Sequence, residues 1–344
     1  MTHPLENLLN RVAYPYPTLE AYLNENLTSS LSLAYVHQGV ITTKTVCLKE
    51  LFSEHTRFQV ASISKLVFAA LLFDQHTQRN IDLTHDIRPD ISRLGIPLYD
   101  AKKPFTMLDL LSHTAGFNLH GFAGYEPHQR HPSLKAMLQG EAPTNHPKLR
   151  QEASPKTAFR YSGGGYQLAQ WLFEEHQEIS LKEASQRFFK KLGMPHSVYN
   201  ALAPRNILSA YSAHNTPLKD GYIRYPELAA AGLWTTPTDL ARLGIALLQA
   251  YHKEAGPLNA HAFQTMFKKP ENIQTPCAHG VFIEDHAKGQ FFGHGGNSVG
   301  YHSAMIFDTA SKEGVVVMVN SDLADHIPRT IADAFKAMHQ GEAS

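Results

Sequence analysis

Strand-like alternation marks the two ends of this chain and fades between them. Leu31, Leu33 and Tyr35 alternate with Ser30, Ser32 and Ala34, and a turn near Gly39 leads to a second run from Val40 to Cys47. Successive strand side chains face opposite ways, so period-two patterning predicts strands. The pattern returns in Val281–Ile283, Gln290–Gly293, Tyr301–Phe307 and Val315–Asn320, with turn residues at hairpin spacing. From about 77 to 205 it disappears. Pro, His and Asn become frequent there, and Trp171-Leu172-Phe173 and Phe188-Phe189 sit inside amphipathic helical stretches. The expected fold is α+β: an antiparallel sheet built from both termini and flanked by helices, with an inserted mainly helical domain. The expected domains are 1–76 with 206–344 for the sheet and 77–205 for the insertion, with the functional site between them. Helices are also expected over 14–28 and from Ile327 to about Met338. No internal repeat or low-complexity tract interrupts this plan.

The chemistry concentrates at one junction. Val60-Ala61-Ser62-Ile63-Ser64-Lys65 runs into Leu66-Val67-Phe68-Ala69-Ala70-Leu71-Leu72-Phe73. A helix apolar nearly all round is a buried one. Residues three apart share a helix face, so the Ser62 hydroxyl and the Lys65 amine can meet. A lysine on that first turn loses hydration, which favours its neutral, proton-accepting form. A serine hydroxyl becomes a competent nucleophile only when a neighbouring base takes its proton. The bland alternative is an N-cap serine followed by a surface lysine. This is the only Ser-x-x-Lys in the chain.

Composition narrows the function classes. Lys+Arg and Asp+Glu are equal at 31 each, so the formal net charge is zero and nothing suggests nucleic acid or an anionic membrane surface. The longest apolar runs are about half a membrane span. The start, Met1-Thr2-His3-Pro4, lacks the features of a signal peptide. Two cysteines, Cys47 and Cys277, make no disulfide framework. These features lead us to expect a cytoplasmic protein. Histidine is abundant at 21, yet no metal-binding spacing occurs, and His113, His120, His128 and His131 read as scattered loop residues.

Three further segments acquire meaning together: Met107 to Phe117, containing Ser112-His113-Thr114-Ala115-Gly116; Phe159-Arg160-Tyr161-Ser162-Gly163-Gly164-Gly165; and Phe292-Gly293-His294-Gly295-Gly296-Asn297. Following a Ser-x-x-Lys in this order, they resemble the serine β-lactamase and penicillin-binding-protein superfamily. The likeness is strongest to its class C β-lactamase, esterase and D-peptidase branch, which Ala231 to Leu240 also resembles. It extends over roughly 25–335. The resemblance implies that Ser62 forms an acyl-enzyme, Lys65 is its base and Tyr161 passes the proton to the leaving group. His294 would stand where many relatives carry the lysine of a Lys-Thr-Gly motif, acting as a neutral donor. The N–H groups of Ser62 and Asn297 would form the oxyanion hole, and Gly295 and Gly296 would let a substrate backbone lie against the strand. Asp109 is expected to cap or to form an ion pair. The chemistry needs no metal or organic cofactor.

Two departures bear on substrate. Gly163 replaces the asparagine of Tyr-x-Asn, which touches the substrate amide in the family, so this part of the substrate-binding surface is altered. His294 replaces a permanent cation with a side chain mostly neutral at pH 7. Both point away from acids such as β-lactams and toward neutral esters or amides. The expected activity is therefore a carboxylesterase or D-peptidase-like hydrolase acting on a small-molecule ester or amide. Alternatives are β-lactamase activity proper, acyl transfer at the same site, a non-catalytic binding or scaffold protein, and an α/β-hydrolase using Ser298 in Gly296-Asn297-Ser298-Val299-Gly300. Oligomeric state is left open.

Overall fold

The computed structural model describes residues 3–26, 30–78 and 80–340. Two helices, α1 (Pro4–Ala13) and α2 (Leu19–Glu25), open the chain. The expected single helix over 14–28 is therefore corrected. Pro15 and Pro17 cannot donate backbone hydrogen bonds, and Thr18 caps α2 by accepting from the Ala21 N–H. Residues 27 and 28 of that expectation lie outside the described residues.

Strands β1 (Ser30–His37), β2 (Val40–Cys47), β6 (Phe282–His286), β7 (Gly289–Ser298), β8 (Tyr301–Asp308) and β9 (Gly314–Val319) form one antiparallel sheet in the order β2-β1-β9-β8-β7-β6. The two ends of the chain meet at its centre, where Leu33 pairs with Val317. Both faces are covered. Leu31, Leu33, Tyr35, Val315, Val317 and Val319 pack against α1, α2 and the last helix, Ile327–Gln340. The alternate residues Ala34, Val36, Val316 and Met318 join the main core on the opposite face. Register is therefore strongly specified, because a one-residue slip would exchange these two sets.

The main core includes α3 (Ile63–Thr77), buried on every side from Ile63 to Asp74. Helices α4 (Arg88–Ser92), α5 (Met107–Leu111), α6 (Leu134–Gln139), α7 (Gly163–Gln177) and α8 (Leu181–Leu192) follow it. Then come α9 (Leu228–Ala231), α10 (Pro237–Tyr251) and α11 (Ala260–Met266), and the last helix is α12. A second sheet pairs three very short strands, β3 (Phe58–Gln59), β5 (Leu233–Thr235) and β4 (Val198–Tyr199), in that order. The segment expected to be helical thus lends a strand to its surroundings. Among the described residues, no helix is long and apolar enough to cross a membrane.

One half-buried carboxylate ties the C-terminal helix to the sheet. Glu313 accepts hydrogen bonds from Tyr35, His37 and His339. Burial alone would raise its pKa, but these donors bring it down to about 2. A depressed carboxylate stabilises the fold above its unfolded pKa, and that stabilisation vanishes as pH falls toward 2. Glu313→Gln is expected to lose about 2 kcal/mol at pH 7. In urea midpoints measured against pH, the gap to wild type should close between pH 5 and 2. A constant gap would contradict the assignment.

Candidate active site

Ser62 occupies the N-cap position of α3, but its hydroxyl makes no capping bond. The bland reading of Ser62 therefore fails on geometry. Lys65 Nζ instead donates to Ser62 Oγ at 3.0 Å and to the Ala230 carbonyl at 2.8 Å. Ala230 belongs to α9, which packs between α3 and α7. Lys65 is only 3 % exposed, and among the described residues no carboxylate lies within ion-pair distance of it. The amine is thus held in place without a counter-charge. Ala61, directly before Ser62, has φ of +43°, a strained left-handed conformation for an alanine.

Tyr161 is brought to this pair from the start of α7, its ring centroid 5.1 Å from Lys65 Nζ. Its ring is held between His113 and His120, at 4.3 and 4.8 Å. The following Ser162 caps α7 by accepting from Gly165 N–H at 2.8 Å, and it donates its own hydroxyl to Asn118 O at 2.6 Å. His113 was expected to be one of several scattered histidines. It is instead fully buried and accepts the Ser162 N–H on Nδ1 at 3.0 Å. Burial, with Lys65 and His294 nearby, holds its pKa well below the ordinary value. Only the three-dimensional arrangement reveals this role, although the Ser112 to Phe117 motif marks the segment. Asp109 forms a capping box with Thr106 and lies 3.6 Å from Lys156, as expected.

His294 projects from β7 toward Tyr161, with ring centroids 6.4 Å apart. Burial, reinforced by Lys65, pushes its pKa down to about 3, so the ring is neutral at working pH. Its Nδ1 lies 2.6 Å from Gly295 O. A carbonyl can only accept, so Nδ1 carries the proton and Nε2 is bare. Nε2 is buried without a hydrogen-bond partner. The expectation of a neutral donor is therefore corrected: toward the site, His294 presents an acceptor.

The glycines divide into different roles. Gly295 is exposed, and a Cβ there would meet nothing closer than 3.9 Å, so its face is open to a ligand. A Cβ on Gly296 would lie 2.1 Å from Val60 O, so Gly296 serves close approach of β7 to the turn before Ser62, not an open face for substrate. Gly163 is likewise not open: a Cβ there would lie 2.8 Å from the Phe122 ring and 3.1 Å from His120 O. Phe122 occupies the space that a side chain at 163 would need. Asn297 is exposed at the end of β7, and His302 bridges its Oδ1 to Asp322 Oδ1 at 3.0 Å on each side. Ser62, His120, Phe122, Tyr161, His294 and Asn297 all line one cleft. Ser298 is followed by a tight turn and β8, paired Ser298 to Tyr301, and not by a helix. That excludes a nucleophile elbow.

The family model for beta-lactamase matches residues 18–337. The chain belongs to the beta-lactamase family. Its solved neighbours within the serine β-lactamase and penicillin-binding-protein superfamily share the fold at low identity. A D-amino acid amidase from Ochrobactrum anthropi SV3, complexed with L-phenylalanine, is 16 % identical with a TM-score of 0.77, covering 99 % of this chain and 100 % of its own. A class C beta-lactamase mutant is 17 % identical with a TM-score of 0.72, covering 96 % and 97 %. An octameric penicillin-binding protein homologue from Pyrococcus abyssi is 18 % identical with a TM-score of 0.76, covering 98 % and 78 %. No curated protein matches the sequence. In this beta-lactamase family member, the helix, tyrosine and strand motifs thus sit around one cleft.

Proposed function

We propose that this protein is a serine hydrolase that opens neutral esters or amides through an acyl-enzyme. The observation that carries the reading is the Ser62 hydroxyl, left free of capping and held at 3.0 Å by an amine that has no counter-charge. Ser62 Oγ attacks the carbonyl carbon while Lys65 takes the hydroxyl proton. The developing oxyanion accepts from the N–H groups of Ser62 and Asn297. The carbon–oxygen or carbon–nitrogen bond then breaks, and the leaving group takes a proton through Tyr161. Water attacks the acyl-enzyme to release the acid, or an amine or alcohol does so in acyl transfer. His294 offers its bare Nε2 to a donor on the substrate side.

A neutral His294 supplies no cation for a substrate carboxylate, and Phe122 over Gly163 supplies no amide partner. Both features favour esters and simple amides over β-lactams. The amidase neighbour supports adding amino-acid amides to that class. The test is intact-protein mass spectrometry after treatment with a p-nitrophenyl ester and a fluorophosphonate, on wild type and Ser62→Ala. An adduct on wild type, mapped to Ser62 and absent from the variant, is the expected result. Folded wild type that takes no label would instead favour a binding protein. Nitrocefin turnover faster than that of short acyl esters would overturn the substrate preference.

A further inference from the structure

Behind Phe122 lies a carboxyl group with nothing to bind. Glu227, at the start of α9, is completely buried, and neither of its carboxylate oxygens has a hydrogen-bond partner. Burial pushes its pKa up to about 8. His146 Nε2 lies 3.7 Å from Glu227 Oε1, beyond hydrogen-bond reach, and is also buried and unpartnered. His146 Nδ1 is 3.0 Å from Pro147 O, so it carries the ring proton and leaves Nε2 bare. The carboxyl oxygens and a bare ring nitrogen thus face each other with no hydrogen bond between them. Buried polar groups are almost always satisfied, so such a cluster calls for a donor from outside the chain.

The Ser62 cleft comes within one aromatic ring of this cluster. Phe122 lines the cleft, and its ring centroid is 5.3 Å from that of His146. Its loop is fastened on both sides. His120 O accepts the Gly163 N–H at 3.2 Å, and Tyr125 exchanges 2.8 Å backbone bonds with Arg224. Between these anchors a Cβ on Gly121 would have nothing within 4 Å. Phe122 therefore sits on a short span between two anchors, with open space at the preceding glycine and its ring packed against the core.

We propose that Glu227 and His146 form a subsite for a primary ammonium group on the substrate, reached when the Phe122 ring rotates aside. The proposal rests on the hydrolase reading of the same cleft. An ammonium matches the cluster because it brings three donors and a charge that ionises Glu227; a hydroxyl brings one donor and no charge. A metal ion would need several oxygen ligands, and among the described residues no group of three or more acidic, His or Cys side chains could hold one.

The test compares phenylalanine p-nitroanilide with 3-phenylpropanoyl p-nitroanilide, which differ by the amine alone, on the full chain. Wild type should favour the amine-bearing substrate in kcat/KM by about 10-fold or more. Glu227→Gln should bring that ratio to within about threefold of unity. His146→Asn should lower it in the same direction, which keeps the test open if the first variant does not fold. An unchanged ratio in both folded variants, or no preference in wild type, would overturn the subsite. Calorimetry with 2-phenylethylamine against 2-phenylethanol reads the subsite without turnover. Amine-selective binding lost in Glu227→Gln would uphold it even if Ser62 takes no label and the hydrolase reading fails. Equal binding of the two ligands by wild type would count against it.

Discussion

Lys65→Met should lower kcat/KM by about 10³-fold while leaving the melting temperature unchanged or raised, because the two effects have separate origins. A positioned base contributes on the order of 10²–10⁴ to proton transfer, and the Lys65 amine is in direct contact with the Ser62 hydroxyl. Methionine matches the length of the lysine stem and removes an amine that is buried without a carboxylate partner. Arginine should not rescue activity, since its guanidinium does not give up its proton. Combined with Ser62→Ala, the lysine change should add almost nothing further, as expected for residues that act as one unit. The measurement is a double-mutant cycle in ester hydrolysis beside thermal unfolding. Independent, multiplicative losses would show that Lys65 acts elsewhere.

Gly296→Ala is the second large effect. The added methyl would fall 2.1 Å from Val60 O and 2.6 Å from Ser303 Oγ. Val60 O also accepts the Ile63 N–H at 3.1 Å, so it helps to shape the entry into α3. Forcing β7 and this turn apart displaces Ser62 relative to Asn297. Overpacking of this kind costs about 1–3 kcal/mol, and misplacement of a nucleophile by about 1 Å costs about 10²-fold in rate. Gly295→Ala, next door, meets nothing closer than 3.9 Å and should leave the unfolding midpoint unchanged. Equal midpoints for the two variants would disprove the close-approach role of Gly296.

The parts legible in the sequence were those with long-range periodicity or a burial signature. The first strand of the large sheet is marked by alternation and the later ones by short apolar runs between turn residues, and α3 by being apolar nearly all round. The three strands of the small sheet span only two or three residues each, too few for any period to register. The helix expected over 14–28 begins only at Leu19, because Pro15 and Pro17 disfavour helical backbone in the residues before them. At the site, Ser62 and Lys65 share one helical turn, so local geometry sufficed to pair them. His113 is far from Tyr161 in sequence, and its tilt against that ring arises from how α5 and α7 pack. The protonated nitrogen of His294 depends on the Gly295 carbonyl, a conformational detail that residue order does not encode. Glu227 belongs to no motif read from the sequence, and only its burial distinguishes it.

The pairing of β1 with β9 at the centre of the sheet carries a consequence for biosynthesis. A ribosome makes β1, β2 and the Ser62 helix early, and β7 to β9 near the end. Through most of translation, β1 has only β2 beside it, and its other edge stays unpaired. Such non-local pairing slows folding and leaves the nascent chain open to association or to chaperones. Ser62 and Lys65 are therefore synthesised long before Asn297, the residue proposed to help cradle an oxyanion. On the proposed reading, the oxyanion cradle is completed only when the last strands close the sheet, so an abandoned, half-made chain would lack it.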